Sequence, residues 1–453
     1  MLSRSSLARN AHQAARRSLA ARSTQQRTFA AAASSGAFET SDISGLKVAS
    51  RDTQGPATKL ALVSKAGTRY QPLPGLTVGL SEFAFKNTQR RSALRITRES
   101  ELLGGRLSSS HTRESLVLEA NFLRADLPYF AELLAEVVSM TKYTTHEFHE
   151  EIESVLRVKQ GIFYSDAAAV ALDNVHAVAF HGGLGNSVYP NPSSADKKYM
   201  NEEYIASFSD AVYTKPNIAL IADGAVPEDL AKWVPQFFKD VQVESQSGQK
   251  FESQASKYHG GEQRLSHASG NSIVIAFPGS AYTGPKPEVS VLAQLLGGQS
   301  TIKWSPGYSL LGKATADIPG LSASASNLAY SDAGLLAIQL TGSAASVRKG
   351  AEAAVKALES VANGTVANED VAKAVANAKF SAFDGEPSLD LVGSGLISTG
   401  KAFESAALIK GIEAVNADKL KAVAKALLES KASVSTVGDL FVLPYAEQLG
   451  LRV

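Results

Sequence analysis

Gly75-Leu76-Thr77-Val78-Gly79-Leu80-Ser81-Glu82-Phe83-Ala84-Phe85-Lys86-Asn87-Thr88 reads as a packed helix. Hydrolytic zinc needs three protein ligands, an open water position and a base. A helix supplies two such ligands when His stands at i and i+4 with a Glu between them. This stretch lacks that equipment. Val78 and Leu80 carry no lone pairs, Ser81 cannot act as a carboxylate base, and Glu82 alone makes a poor site.

The surrounding chain has ordinary globular composition, 44% hydrophobic and 20% charged over 453 residues. That length suffices for two or three cores. It contains no cysteine, which excludes disulfides, thiolate metal sites, cysteine nucleophiles, iron–sulfur ligation and haem attachment. No apolar run approaches the roughly 18–20 residues that cross a bilayer as a helix.

The N-terminus differs in material. The first acidic residue is Glu39, and Arg4, Arg9, Arg16, Arg17, Arg22 and Arg27 punctuate a Ser- and Ala-rich stretch before it. Arg-rich, Ser-rich and acid-poor is the composition of a mitochondrial transit peptide. Arg27-Thr28-Phe29-Ala30 fits a matrix-protease site, with the cut expected between Phe29 and Ala30. The competing reading is a basic arm for nucleic acid or anionic lipid. Without residues 1–29 the chain keeps 39 basic against 44 acidic residues. Such a body argues against nucleic acid as the main partner and offers no polybasic membrane patch.

Beyond residue 40, strands and helices alternate. Strands are expected at Lys59–Lys65, Ser115–Leu123 and Ile218–Ala222. Helices are expected from Ser92 to Leu103, from Asp126, from Thr144 toward Phe163 with Glu147 completing a capping box, and from Pro227. Residues 241–263, rich in Gln, Ser, Lys and Gly, read as a linker. The pattern then returns: strands at Ser272–Phe277, Ser322–Leu328, Leu335–Leu340 and Ser433–Val437, with helices from Ala344, Asn368, Ser388 and Asn416. The Ser92–Leu103 helix is expected to close at Gly104-Gly105 in a left-handed glycine cap, and its ending Leu102-Leu103-Gly104-Gly105 is repeated as Leu295-Leu296-Gly297-Gly298. The next long strand follows 14 residues after Leu102, at Leu116, but 40 after Leu295, at Leu335. Two diverged copies of one domain, with insertions at different places, account for this. The other reading is two unrelated α+β domains.

Residues 75–88 resemble the active-site helix of the pitrilysin-type zinc peptidases, which ends in a similar Ala-Phe-Lys-x-Thr. The family's H-x-x-E-H falls on Val78, Gly79, Leu80, Ser81 and Glu82. Its third ligand, a Glu on a later helix, falls on Lys159 or its neighbours Gln160, Gly161 and Ile162, and a lysine there repels Zn²⁺. Leu102–Gly105 and Thr112-Arg113-Glu114 extend the resemblance, which covers nearly the whole mature chain. It implies an α+β fold of two homologous α/β-sandwich halves, joined by a linker and facing a central cavity. The expected units are a transit peptide at 1–29, halves at 30–240 and 264–453, and the linker at 241–263.

Two second-half stretches narrow the resemblance. Gln299-Ser300-Thr301-Ile302-Lys303-Trp304-Ser305-Pro306-Gly307-Tyr308-Ser309-Leu310-Leu311 replaces the glycine-rich loop of the non-catalytic subunit of mitochondrial processing peptidase. Asn327-Leu328-Ala329-Tyr330-Ser331-Asp332-Ala333-Gly334-Leu335 is similar to a run in the non-peptidase core proteins of ubiquinol–cytochrome c reductase (complex III). This implies a structural subunit on the matrix side of the mitochondrial inner membrane, held peripherally through the complex. Implied partners are core protein 1, cytochrome b and other subunits of a complex III dimer. No catalytic, cofactor-binding or metal residue is expected. The alternative is the presequence-binding, non-catalytic subunit of the processing peptidase.

Other candidates have bland counterparts. His146 and His149 could form an i,i+3 metal pair, or a solvated first turn in which acids suit the helix dipole. His176 and His181 flank an apolar helix end and read as core or interface residues rather than ligands. His111 lacks an assignable Ser/Asp partner. Gly182-Gly183-Leu184-Gly185 and Gly393-Ser394-Gly395 read as loop or helix-packing glycines, not phosphate loops.

Overall fold

A computed structural model describes residues 37–192, 200–245, 255–299, 307–384, 388–403 and 405–453. The expected transit peptide with its Phe29–Ala30 cut lies outside the described residues, as does the 300–306 part of the recast loop.

The first half runs β1 (Glu39–Ile43), β2 (Leu46–Arg51), β3 (Ala57–Ser64), α1 (Leu76–Phe83), α2 (Ala93–Leu102), β4 (Arg106–His111), β5 (Leu116–Leu123) and α3 (Leu127–Met140). Then α4 passes from Thr145–Glu147 through a π-helical turn, Phe148–Ile152, into Glu153–Ser165. After it come α5 (Ala167–Phe180), α6 (Glu202–Val212), β6 (Ile218–Asp223) and α7 (Pro227–Phe237). The second half runs β7 (Gly261–Ser266), β8 (Asn271–Pro278), α8 (Pro287–Leu296), α9 (Leu310–Ala314), β9 (Ser322–Ala329), β10 (Gly334–Gly342) and α10 (Ala344–Asn363). It closes with α11 (Asn368–Asp384), α12 (Leu389–Thr399), α13 (Ser405–Glu413), α14 (Ala417–Glu429) and β11 (Ser433–Gly438). The strand β7 starts inside the stretch read as a linker.

Strand order establishes the duplication. The first sheet is β1-β2-β6-β3-β5-β4 and the second β7-β11-β8-β10-β9. Apart from the extra edge strand β1, the two match position for position. In each, one parallel pair (β2 with β6, β7 with β11) adjoins an antiparallel run. The first Leu-Leu-Gly-Gly ending stops its helix at a left-handed glycine, Gly104 at φ +70°; the second stops at Gly297, whose φ of +57° comes with ψ −139°, outside the left-handed helical region. The extra length in the second copy falls between α8 and β9, where the first copy passes almost directly from α2 into β4.

Each sheet buries one face under helices of its own half. Leu60, Leu62, Leu118 and Leu220 meet Val78, Leu80, Phe130 and Leu134 in the first core. Ile273, Ile275 and Ile338 meet Leu292, Val347 and Leu358 in the second. The opposite faces are covered by exchange. Val170, Ala171, Val175 and Ala179 of α5, a first-half helix, pack on Val274, Ala276, Ala337 and Val437 of the second sheet. Val392 and Leu396 of α12, a second-half helix, pack on Ala49, Ala61, Val63 and Ile221 of the first. Each fully buried Val or Leu in these contacts contributes about 1.5–3 kcal/mol. Coverage on both faces explains why every residue of β6 is buried, giving the continuous apolar run Ile218–Ala222 instead of an alternation. Gly393 permits the close approach of α12: a Cβ there would lie 2.5 Å from Val63 Cγ2. Lys47 Nζ then caps the end of α12, donating to the carbonyls of Leu396 (3.2 Å) and Ile397 (2.9 Å).

Candidate functional site: a packed helix and its ion pair

Helix α1 lies deep in the first core. Val78 and Leu80 are fully buried against it, and Gly79 admits Ile205 of α6, whose Cδ1 would stand 2.5 Å from a Cβ. The hydroxyls of Ser81 and Ser109 share a hydrogen bond of 2.9 Å. Glu82 forms an ion pair with Lys159 Nζ, which reaches across from α4. The residue expected at the third-ligand position thus faces Glu82, the residue expected at the motif's last position. An ammonium–carboxylate pair stands there.

His111, at the end of β4, borders this pair. Burial pushes its pKa down; the Val188 backbone and Glu82 oppose that shift, and Lys159 adds to it. Its ring packs edge-on against Tyr189, centroids 5.3 Å apart, and its Nε2 is buried without a partner. His146 and His149 face solvent and pair with Glu150 (3.3 Å) and Glu153 (3.4 Å), each four residues on. Among the described residues no three His, Asp or Glu gather closely enough to hold a metal ion.

The Ala84–Thr88 run has a structural role that needs no zinc. Phe85 adopts φ +62°, turning the chain out of α1. The Asn87 N–H donates to Glu147 Oε1 (3.0 Å), its Oδ1 accepts from Ala93 N (2.8 Å), and its carbonyl accepts from Lys142 N (2.8 Å). Lys86 pairs with Glu151 at 2.5 Å. Thr88 Oγ1 and Arg91 both donate to Glu136, which is buried. The corner therefore ties α1 and α2 to α3 and α4. The expected capping box is modified by it. Thr144 Oγ1 does accept from Glu147 N (3.4 Å), but the Glu147 carboxylate turns to Asn87 and to the Thr144 hydroxyl.

A second cluster joins the two halves, and it unites motifs that sequence reading had found separately. Arg69 Nη1 and Nη2 donate to both oxygens of Asp332 (2.7 and 2.6 Å), and Nη1 also reaches Glu114 Oε1 (2.7 Å). Glu114 further accepts from the N–H (2.8 Å) and hydroxyl (2.5 Å) of Ser331. Arg113 donates to Asp173 (2.5 Å) and to the carbonyls of Leu184 (3.0 Å) and Asn186 (2.5 Å). Thr112–Glu114 and Tyr330–Asp332 are thus the two sides of one junction. His176 of α5 spans it as well. Its Nδ1 lies 2.6 Å from the Leu172 carbonyl, so the proton sits there, and Nε2 accepts from Tyr330 Oη at 2.8 Å. Burial and the nearby Arg113 push its pKa down to about 3. It is a satisfied neutral interface histidine, as its sequence context suggested. His181, at φ +60°, stacks on His259 with centroids 4.0 Å apart. Gly185 packs against the α5 backbone, where a Cβ would lie 3.2 Å from the His176 carbonyl oxygen. Arg69 itself was missed, because a lone arginine in Gly67-Thr68-Arg69-Tyr70 carries no pattern.

A fold of two matching halves around a helix of this kind defines a peptidase-like scaffold. Residues 47–191 match the family model "Insulinase (Peptidase family M16)" and residues 199–378 the model "Peptidase M16 inactive domain". "Cytochrome b-c1 complex subunit 2, mitochondrial" of Neurospora crassa is 57% identical, with all of both chains covered. The protein of the same name from Schizosaccharomyces pombe is 37% identical over 90% of this chain and 94% of its own. "Mitochondrial-processing peptidase subunit alpha" of Solanum tuberosum is more distant, 27% identical over 90% of this chain and 83% of its own. The chain belongs to the M16 peptidase family, alongside its cytochrome b-c1 complex subunit 2 members.

Proposed function

We propose that the chain is a non-catalytic structural subunit of the mitochondrial cytochrome b-c1 complex, in the place that core protein 2 occupies in ubiquinol–cytochrome c reductase. It supports assembly and stability of the complex, while electrons pass from ubiquinol to cytochrome c through other subunits. The observation that carries this reading is the Glu82–Lys159 pair on the face where hydrolytic zinc would need ligands. With Val78 and Ser81 in the remaining positions, no water is activated there. The chain contains no cysteine for an iron–sulfur centre. Among the described residues no helix is long and apolar enough to cross a membrane. The contacts we assign are therefore peripheral, on the matrix side, with core protein 1, cytochrome b and other subunits of a dimeric complex. Obligate interfaces of that kind commonly bury more than about 2,000 Å². The transit peptide, cut between Phe29 and Ala30, delivers the chain to that compartment.

The test is incubation of the purified chain with zinc and a fluorescent presequence peptide, alone and after co-expression with its co-purifying partner. No cleavage is expected. Cleavage by the pair that stops on zinc chelation favours the presequence-binding subunit of a processing peptidase instead.

A further inference from the structure

Among the described residues nothing pairs with the outer edge of β7, where the second sheet ends. The N–H groups of Gly261 and of His267, just past the strand, donate to the carbonyls of Ala432 (3.0 Å) and Gly438 (3.3 Å) at the two ends of β11. By the two-residue period of a strand, Glu262, Arg264 and Ser266 turn their N–H and C=O groups the other way, to the open side. The matching edge of the first sheet is occupied. There β1 runs along β2, antiparallel, from Glu39 opposite Ser50 to Ile43 opposite Leu46. The chain just before β7 holds the place in sequence that β1 holds before β2, but the junction between the halves draws it away. Ser256 N donates to Asp332 (2.8 Å), the Tyr258 hydroxyl to the carbonyls of Lys431 (3.0 Å) and Ala276 (3.3 Å), and His259 N to the Ala179 carbonyl (2.9 Å). The strand that completes the first sheet therefore has no counterpart in the second among the described residues.

The open edge is also unguarded. Exposed edges are commonly blunted by charged side chains, and β1 carries Glu39 and Asp42, both exposed. On β7 the two charged side chains turn inward. Arg264 donates to the carbonyls of Leu440 (2.9 Å), Leu443 (3.0 Å) and Pro444 (2.8 Å) and pairs with Glu262 (3.3 Å), which also accepts from Ala446 N (3.2 Å). Gln263, Leu265 and Ser266 are left at the surface. The same contacts hold the turn at 439–445, where Phe441 N donates to Asp439 Oδ1 (3.1 Å) and the Phe441 ring stands fully exposed. Unpaired backbone beside a fixed aromatic suits strand addition, in which the ladder gives affinity and side-chain seats give selectivity. We propose that β7 receives a sixth strand from a neighbouring subunit of the complex, antiparallel to it as β1 is to β2, with Phe441 seated in that subunit. Because β1 has no strand beyond it, the first half's template is a lone extended segment, not the sheet edge of a second copy. The occupant is at least about five residues long, has no proline facing β7 and sets an apolar side chain against Leu265. This rests on the chain's being a subunit of the cytochrome b-c1 complex.

Hydrogen exchange with residue-level fragmentation is measured on the purified full chain and on the cytochrome b-c1 complex isolated with it. In the free chain the Arg264 and Ser266 amides should exchange at least about 100-fold faster than those of Gln263 and Leu265, which face β11. In the complex they should slow to match them. Ser266→Pro removes one outward donor and leaves the β11 ladder intact. It should keep the free chain's unfolding temperature and return Arg264 to fast exchange in the complex. A photoreactive benzophenone side chain at position 441 should crosslink, within the complex, to one subunit other than this chain. The added strand is overturned if Arg264 and Ser266 exchange in the complex as fast as in the free chain, or if Ser266→Pro leaves Arg264 protected. It is equally overturned if the crosslink, or sedimentation of the free chain, places a second copy on β7. A chain absent from the complex overturns the strand and the subunit reading together; a chain present in it with β7 open overturns the strand alone.

Discussion

Mild acid should loosen the junction between the halves, through His176. Folded, this imidazole is buried and hydrogen-bonded on both nitrogens as the neutral tautomer, and it takes up a proton only near pH 3. Unfolded, it takes one up near its ordinary value of about 6.5. Between those values the unfolded chain binds more protons than the folded one, so stability falls as pH falls. The slope approaches about 1.36 kcal/mol per pH unit, or about 2 kcal/mol lost between pH 7 and 5 from this group alone. The assay is urea unfolding of the full chain at pH 7, 6 and 5, beside His176→Gln, which cannot charge. The variant should start less stable at pH 7, having lost a fitted ring, and should then lose about 2 kcal/mol less than the parent on going to pH 5. Parallel pH curves for the two proteins would refute the reasoning, because they would mean that His176 is already charged, or already wet, in the folded state.

Other predictions concern the junction and the vacated helix. Arg69→Met leaves Glu114 and Asp332 without their cation and should cost about 3–5 kcal/mol in urea unfolding, with part of the loss recovered when Glu114→Gln is added. Asp332 has a pKa lowered by the Arg69 and Ser256 hydrogen bonds, which outweigh its burial; its contribution is full above about pH 4 and fades as pH drops through the lower folded value, a fading that Asp332→Asn should abolish. Gly334→Ala would place a Cβ 2.3 Å from the Ser280 carbonyl oxygen and should lower stability by about 1–3 kcal/mol or more, read as a drop in unfolding temperature. The combination Val78→His, Glu82→His and Lys159→Glu rebuilds a three-ligand set. It should bind one zinc ion by calorimetry where the parent binds none, and absence of binding would mean that Lys159 does not occupy the third-ligand position.

Much of the fold was legible because its signals are local. Helices begin where expected at Ser92, Ser388 and Asn416, each of which caps its helix, and the paired Leu-Leu-Gly-Gly endings located the repeat. What sequence could not give was which half each helix serves. Helix α5 is Ala- and Val-rich around most of its circumference, so no stripe says which sheet it covers, and α12 is likewise short and apolar. Strand β4, Arg106-Leu107-Ser108-Ser109-Ser110-His111, was not read because small polar residues blur its alternation. At the site, the sequence offered Val78, Ser81, Glu82 and Lys159 as residues expected to stand where zinc chemistry would need ligands and a base. That Lys159 pairs with Glu82, and that Thr112–Glu114 meets Tyr330–Asp332, depends on contacts between distant segments that no spacing encodes.

If a peptidase scaffold here serves assembly, the company the chain keeps will show it. Mitochondrial membranes solubilised in mild detergent are resolved by blue-native electrophoresis, and each band is analysed by quantitative mass spectrometry. This chain is expected in constant ratio with cytochrome b and core protein 1, in one high-mass band. A chain found apart from cytochrome b, in a small complex that cleaves presequences with zinc, would contradict it.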